Sequence, residues 1–455
     1  MDSDPKDSSA AKCIQVRFLG KLFHPEYTHQ CFEEETIFGY APFPTDHTPL
    51  FSNIPIHPSY NNHIYAKDYL RLEVDLAPSC EKCKITVYTA PIIERQASST
   101  EEPSSSSMEH LSLSGTKRKD VEGPTRLDIP QVLSKLKQCL PVDETTIDTN
   151  DDVTHHFIQI PVGTKISEFA TMHGSFVVHL AHGNDDRVES YHNKVQKLAL
   201  MFIENASSVD LRSNEGGEWN ILYLYLKHDE NNYSLVGYMT LFNFFSPFKK
   251  IKSGIPIRPE SVPSILRICQ ALILPIYQRQ GHGKRLMSCV FDLANGKYNN
   301  DNGRQTAHEI VEVNVEDPCP AFVLLRNMVD YNNFTLNVTS EDPWIPMHYL
   351  QGFDMLTDAD ATNAACKAKI TKTQIHISYE IYKLKMTLSL LSNMNDGPDK
   401  ENIVKQYRLM VKKRLNQYHK EDIGACGSKE EKQAYLTKLY EDAYNHYLSI
   451  LNRKY

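Results

Sequence analysis

Two stretches of this 455-residue chain hold residue types that could do chemistry. The first is Gln278-Arg279-Gln280-Gly281-His282-Gly283-Lys284, a polar turn with two glycines two apart. The amides of such a loop, and of a helix starting from it, have no internal carbonyl and point outward. The helix dipole adds to them and favours an anion, above all a phosphate. Glycine lets that anion approach the backbone. The second stretch is Glu316-Asp317-Pro318. A carboxylate on a rigid platform can take a proton from a substrate. Glu204, in Phe202-Ile203-Glu204-Asn205, is a third acidic candidate. Spacing alone leaves a ligand-free glycine turn open for the first stretch and favours a plain surface turn for the second.

Other motifs are weaker. The loop is not G-x-G-x-x-G, and Gly283-Lys284 is followed by Arg285 where a Walker loop needs Ser or Thr. Cys80-Glu81-Lys82-Cys83 has no second pair at zinc-ligand spacing and reads as two ordinary thiols. His155-His156 and His179-x-x-His182 lack a carboxylate or cysteine at fixed spacing and read as loop and strand histidines.

The elements that must position these residues are legible around them. Gln270 to Leu274 is an apolar run of strand length. Lys284 to Ala294 puts Leu286, Val290, Leu293 and Ala294 on one helix face. Glu309 to Val315 reads as a strand ending at Glu316, and Leu324 to Met328 as a helix. Upstream, Tyr191 to Ala206 has helical spacing, and 219–226 with 233–242 reads as a hairpin around Asp229 to Asn232. The order is helix, hairpin, strand, loop, helix, strand, helix, which predicts one α/β domain with a mixed sheet.

The chain divides on this reading into a disordered 1–12, a small mixed α/β N-terminal domain over 13–180, a central domain over 181–340 and a mainly helical C-terminal domain over 341–455. Within the first domain, 94–126 is a Ser-rich insertion that cannot bury enough apolar surface to order itself. Its Lys117-Arg118-Lys119 reads as solvated linker before nuclear-import patch. Lys405, Arg408, Lys412, Lys413 and Arg414 make one C-terminal helix basic, with a solvated face expected. A net charge of −8 argues against direct nucleic-acid binding, and ten scattered cysteines are no disulfide scaffold. No apolar run nears membrane-span length, so the expectation is an intracellular chain with reduced thiols and no membrane contact.

The Gln278-x-x-Gly281-x-Gly283 pattern resembles the acetyl-CoA pyrophosphate loop of the GNAT superfamily of N-acetyltransferases. Separated blocks resemble the catalytic subunit of type B histone acetyltransferases. They are Pro25-Glu26-Tyr27-Thr28-His29-Gln30 through Phe38-Gly39-Tyr40, Tyr191-His192 with Phe202 to Ser207, Val236 to Thr240 with Asn243-Phe244, Leu272 to Gly283, Val315-Glu316-Asp317-Pro318 with Leu325-Arg326, and Tyr407-Arg408-Leu409 with Lys412 to Leu415.

The resemblance implies a GNAT-type central domain. It implies acetyl-CoA lying along Ala271, Leu272 and Ile273, with its pyrophosphate held by Gln278, Arg279, Gln280, Gly281, His282, Gly283 and Lys284. Glu316 would be the general base, with Glu204 and Asp317 as supporting carboxylates. Glu33, Glu34, Glu35, Phe242, Asn243 and Phe244 would grip the substrate tail. The implied substrate is the tail of newly made core histone four, the implied partner a WD-repeat histone-binding subunit, and the implied compartments nucleus and cytoplasm, with no metal. A non-catalytic histone-binding or assembly factor, and an acetyltransferase for another basic protein, are the alternatives.

Overall fold

The computed structural model describes residues 14–25, 41–42, 63–64, 70–89, 134, 136–138, 140–141, 153–204, 206–213, 216–246, 262–298, 308–338 and 340–453. The expected disorder at 1–12, the Ser-rich insertion at 94–126 and the acidic run Glu33 to Glu35 lie outside them. Strands and helices are both abundant and the main sheet is mixed, so the α/β class holds.

Two compact units are present. The first comprises 1–161, 189–209 and 227–235. Its sheet has the order β2-β1-β5-β6, built from β1 (Ile14–Phe18), β2 (Lys21–Phe23), β5 (Leu70–Leu76) and β6 (Cys83–Thr89). β1 runs parallel to β5, and the other pairs are antiparallel. Ile14, Val16 and Phe18 are buried on one face of β1, as period-two alternation requires. Two-residue strands β3 (Ala41–Pro42) and β4 (His63–Ile64) pair separately. Cys80 and Cys83 are buried free thiols, and burial pushes Cys83 up to about 12. Helix α1 (Asp186–Val195) does not continue to residue 206 as its spacing suggests. It passes into a 3-10 turn at Gln196–Leu198 and then α2 (Ala199–Phe202). The Gln196 side chain leaves the helix to clasp both backbone groups of Val209.

The second unit comprises 162–188, 210–226 and 236–455. Its six-stranded sheet has the order β12-β11-β10-β9-β8-β7. The strands are β7 (Thr164–Thr171), β8 (Gly174–His182), β9 (Gly217–Lys227), β10 (Tyr233–Phe245), β11 (Val262–Ile273) and β12 (His308–Val315). β9 lies inside the sheet and buries five consecutive residues, Ile221 to Tyr225, so both of its faces are covered. β10 and β11 are antiparallel and β11 and β12 parallel. Helix α3 (His282–Ala294) follows β11 and buries Leu286, Met287, Val290 and Ala294.

Helix α4 (Pro320–Val338) follows β12 after a short turn, starting earlier than its apolar pattern shows. Its proline at the first helical position needs no N–H there. Five C-terminal helices plus a short one complete the unit: α5 (His348–Gln351), α6 (Asp358–Ala368), α7 (Lys372–Ser392), α8 (Pro398–Tyr418), α9 (Lys420–Ala425) and α10 (Lys429–Leu451). Met328, Tyr331, Phe334 and Val338 of α4 share one apolar core with Tyr379 of α7, Tyr407 of α8 and Tyr447 of α10. Thr357, Thr371 and Ser428 cap α6, α7 and α10. This core fixes α4, and α4 fixes the turn that joins it to β12. Beyond β12, Val313 N–H donates to the Lys369 carbonyl at 2.8 Å, which closes part of the sheet's edge.

The expected solvated basic face on α8 needs one correction. Lys405, Arg408 and Lys413 are exposed, but Arg414 is buried. It points into the helical core and donates to Glu380 from Nε at 2.6 Å and Nη2 at 3.1 Å. A run of basic residues crosses both faces of a helix, and the position nearest the core found a buried carboxylate.

Candidate active site

The site begins where two parallel strands part. β11 pairs with β12 as far as Ile268 opposite Val315. β12 then ends, while β11 continues to Ile273. Leu274 N–H donates to the Val236 carbonyl at 2.9 Å, so β11 remains tied to the β10 side. By strand alternation Ala271 and Ile273 turn their backbone groups to the opposite edge, where β12 has stopped. That edge is a short row of peptide groups with no neighbouring strand among the described residues.

A bulge marks the parting. Thr240 faces Gln270 and Leu241 faces Ile268, which leaves Cys269 out of the β10–β11 ladder. Gln270 N–H donates to Thr240 Oγ1 at 2.9 Å, a side chain taking the place of a ladder carbonyl. Bulges bend a strand and re-aim its side chains.

The glycine loop closes the far end. Gly281 is the N-cap of α3 at φ +86°, with no side-chain cap. The first helical bond runs from Arg285 N–H to the Gly281 carbonyl at 3.1 Å, so the amides ahead of Arg285 precede the ladder. A Cβ placed on Gly281 would meet nothing within 4 Å, so open space lies beside the cap. The first turn carries no acidic residue, and Lys284 and Arg285 are exposed there. Open space, amides ahead of the helical ladder and positive charge fit a phosphate ester.

The two glycines differ. At Gly281 the requirement is the left-handed backbone. At Gly283 it is packing: a Cβ would come within 2.8 Å of Leu325 Cδ2 on α4. The glutamines brace the loop. Gln278 Nε2 donates to the Ile273 carbonyl at 3.0 Å and Gln280 Nε2 to the Ile276 carbonyl at 2.9 Å. Arg279 is exposed at φ +62°. The His282 ring is buried against Phe176 at 4.5 Å, with Phe169 and Tyr277 nearby, which leaves the His282 amide as its means of meeting an anion. Burial holds this imidazole down to about 4, so it stays neutral at a helix end that disfavours a cation. Arg285 is steadied over the Phe169 ring at 4.5 Å, a contact that the sequence did not show.

Glu316 stands at the vertex, one residue past β12. Its N–H donates to the Ile268 carbonyl at 3.0 Å, and its side chain is exposed. Asp317 follows at φ +33°, also exposed, in a conformation that Asp tolerates better than most residues. The first bond of α4, from Val323 N–H to the Cys319 carbonyl, comes directly after. The carboxylate pair is therefore clamped between a strand and a helix. Glu204 belongs to the first unit and is exposed in the turn after α2.

Along β10, Phe242 and Phe244 stack at 5.8 Å, with Trp219 of β9 at 4.7 Å from Phe242. The Arg267 guanidinium lies 4.8 Å over Phe244, and its Nε donates to Asn314 Oδ1 at 3.3 Å. Asn243 is buried, and its Oδ1 has no hydrogen-bond partner among the described residues. Trp219, Arg267 and Cys269 were not singled out in the sequence. Among the described residues no group of His, Cys, Asp and Glu could hold a metal ion, and no helix is long and apolar enough to cross a membrane.

Several known proteins of similar sequence share one description. A family model described as the N-terminus of histone acetyl transferase HAT1 matches residues 104–204. A histone acetyltransferase type B catalytic subunit of Dictyostelium discoideum is 26% identical over 380 residues, covering 82% of this chain and 66% of that protein. A second from the same organism is 26% identical over 291 residues, covering 62% and 54%. One from Rattus norvegicus is 25% identical over 402 residues, covering 87% and 74%. The chain spans about half to two thirds of the two Dictyostelium relatives. It resembles type B catalytic subunits over most of its own length.

Proposed function

We propose that this chain is a histone lysine acetyltransferase of the type B kind, acting on the tail of core histone four with acetyl-CoA. The observation that carries the reading is the parting of β11 from β12, with a free strand edge on one side, a glycine-started helix at its end and Glu316 at its vertex. Acetyl-CoA supplies, when bound, a thioester carbonyl open to attack by an amine. The open edge beside Leu272 offers the peptide groups of Ala271 and the N–H of Ile273 to an amide-bearing arm. The amides of 281–284, with the charges of Lys284 and Arg285, answer a pyrophosphate.

A lysine ammonium has pKa ~10.4 and cannot attack until it loses a proton. Glu316 is exposed at the vertex and takes that proton, directly or through a water. The new C–N bond forms, the C–S bond breaks, and coenzyme A leaves. Asp317 lends a second negative charge beside an incoming cation. Phe242, Phe244 and Trp219 offer flat apolar surface for the methylene stem of a lysine. The word "subunit" in the relatives' names supports a partner chain, and we take a WD-repeat histone-binding protein as that partner.

The test is transfer of labelled acetyl from acetyl-CoA to a tail peptide of core histone four. Label on lysine supports the reading. Tight peptide binding without label would make the chain an assembly factor. Faster labelling of other basic proteins would move the substrate.

A further inference from the structure

Glu316 sits at the corner between β12 and α4, and one side chain spans that corner. Arg326, in the second turn of α4, reaches back thirteen residues, and its Nη2 donates to the Val313 carbonyl of β12 at 3.4 Å. The Val313 N–H is taken as well, by the Lys369 carbonyl at 2.8 Å. Val313 turns its backbone groups away from β11, since Glu316, three residues on, turns its own N–H toward the Ile268 carbonyl of β11 at 3.0 Å. The end of β12 is therefore gripped from both edges just before the carboxylate.

The outer grip uses a buried charge. Arg326 is 8% exposed, and Asp330, one helical turn on, is 1% exposed. Arg326 Nε lies 3.5 Å from Asp330 Oδ2, yet neither Asp330 oxygen has a hydrogen-bond partner among the described residues. Two charges taken out of water with so few bonds return less than their desolvation costs, and apolar side chains of similar volume would hold α4 at least as well. What an apolar pair could not supply is a hydrogen bond to a strand carbonyl. Asp330 keeps the guanidinium charge tolerable where that bond is made.

We infer that Arg326 is a positioning residue for the proposed base: it ties the end of β12 to α4 and so fixes the direction in which Glu316 leaves the corner. The inference rests on reading Glu316 as the base.

The experiment uses the full chain with Arg326→Met and Asp330→Leu combined, so that no charge is left buried alone. Urea denaturation should find this variant at least as stable as the wild type. Hydrogen–deuterium exchange of the segment 310–318 should nonetheless quicken roughly tenfold, the loss of one charge-assisted hydrogen bond. On a histone-four tail peptide kcat should fall roughly tenfold, with KM for acetyl-CoA and peptide unchanged, because a misplaced base costs rate and not binding. On a Glu316→Gln background the same two changes should add no further loss. A stable double variant with wild-type kcat would overturn the inference, whatever its exchange rate. So would a loss that persists in full on the Glu316→Gln background. Should the double variant not fold, Arg326→Lys, which keeps a charge beside Asp330 but not the two-pronged reach, is read in the same way. If Glu316→Gln alone keeps full turnover, the base reading fails, and faster exchange in the double variant would then show a brace that serves no base.

Discussion

Two glutamates of the second unit show what burial does to a carboxylate. Glu380, on α7, is 2% exposed and is held by Arg414 at 2.6 and 3.1 Å and by Tyr447 Oη at 2.7 Å. Burial opposes its charge and pushes it up, while Arg414 and Tyr447 pull it back. Its acceptor capacity is nearly used. Glu316 is exposed and sits just past the end of a strand. Its capacity is nearly whole. The first carboxylate holds helices together, and the second is free to meet a substrate. On the proposed reading stability and chemistry fall to different carboxylates, and each half of that reading can be attacked separately.

The largest effect should come from Glu316→Gln. Removing a general base costs about 100-fold to 10,000-fold in turnover. Because the side chain is exposed, the denaturation midpoint should hold to within about 0.5 kcal/mol. Calorimetric binding of acetyl-CoA should be unchanged. A stability loss on the scale of the kinetic one would erase the contrast between the two glutamates.

Arg414→Met attacks the other side. It leaves Glu380 buried and uncompensated, which should cost about 3–5 kcal/mol in urea denaturation. The rate per folded molecule should not change. Adding Glu380→Leu should restore much of the stability, since two apolar groups can replace a buried pair. A turnover defect in either variant that persists well below the unfolding transition would show that the helical core reaches the chemistry.

The same contrast explains what the sequence could and could not reveal. The β11–loop–α3 unit was legible because an apolar run, a glycine and a helical stripe leave periodic marks. The strand end before Glu316 was legible because Pro318 stops the strand pattern at a fixed place, while the role given to Glu316 came from the resemblance alone. Arg414 was misread because its neighbours are solvated lysines, and only tertiary packing brings Glu380 to it. β7 was missed because it is an outer strand with few buried residues, so no alternation is written into Thr164 to Thr171. Cys269 was invisible for a different reason: a bulge is a departure from register, and register is a property of two strands.

A third acid, buried like Glu380, tests the contrast by pH. Asp330 on α4 is 1% exposed, and Arg326 Nε lies 3.5 Å from it. Burial pushes it up to about 6, although Arg326 pulls it down. A carboxyl raised above its unfolded value adds stability that is full below pH ~4 and lost as pH rises to ~6. Asp330→Asn should remove that fall, on the order of 2–3 kcal/mol, in denaturation midpoints taken across this window. If Asp330→Asn keeps the same fall, the buried carboxyl is not its source.

The smallest effects belong to the glycines, and they probe the open side of the site. Gly281→Ala forces a side chain into φ +86° but into empty space, so the cost is backbone strain alone, about 1 kcal/mol. Strain at the cap tilts the first amides of α3, so acetyl-CoA should bind about fivefold more weakly by calorimetry. Gly283→Ala meets Leu325 Cδ2 at 2.8 Å, the tip of a side chain that can turn away, and gains helix propensity of about 1 kcal/mol. Its stability should stay within about 0.5 kcal/mol of wild type, and its affinity should fall less than that of Gly281→Ala. The order of the two affinities carries the argument. If Gly283→Ala is the worse binder, the helix–helix packing behind the loop governs the cradle. If Gly281→Ala binds as tightly as wild type, the amides at the cap are not where the phosphates rest, and the open space beside Gly281 has another purpose.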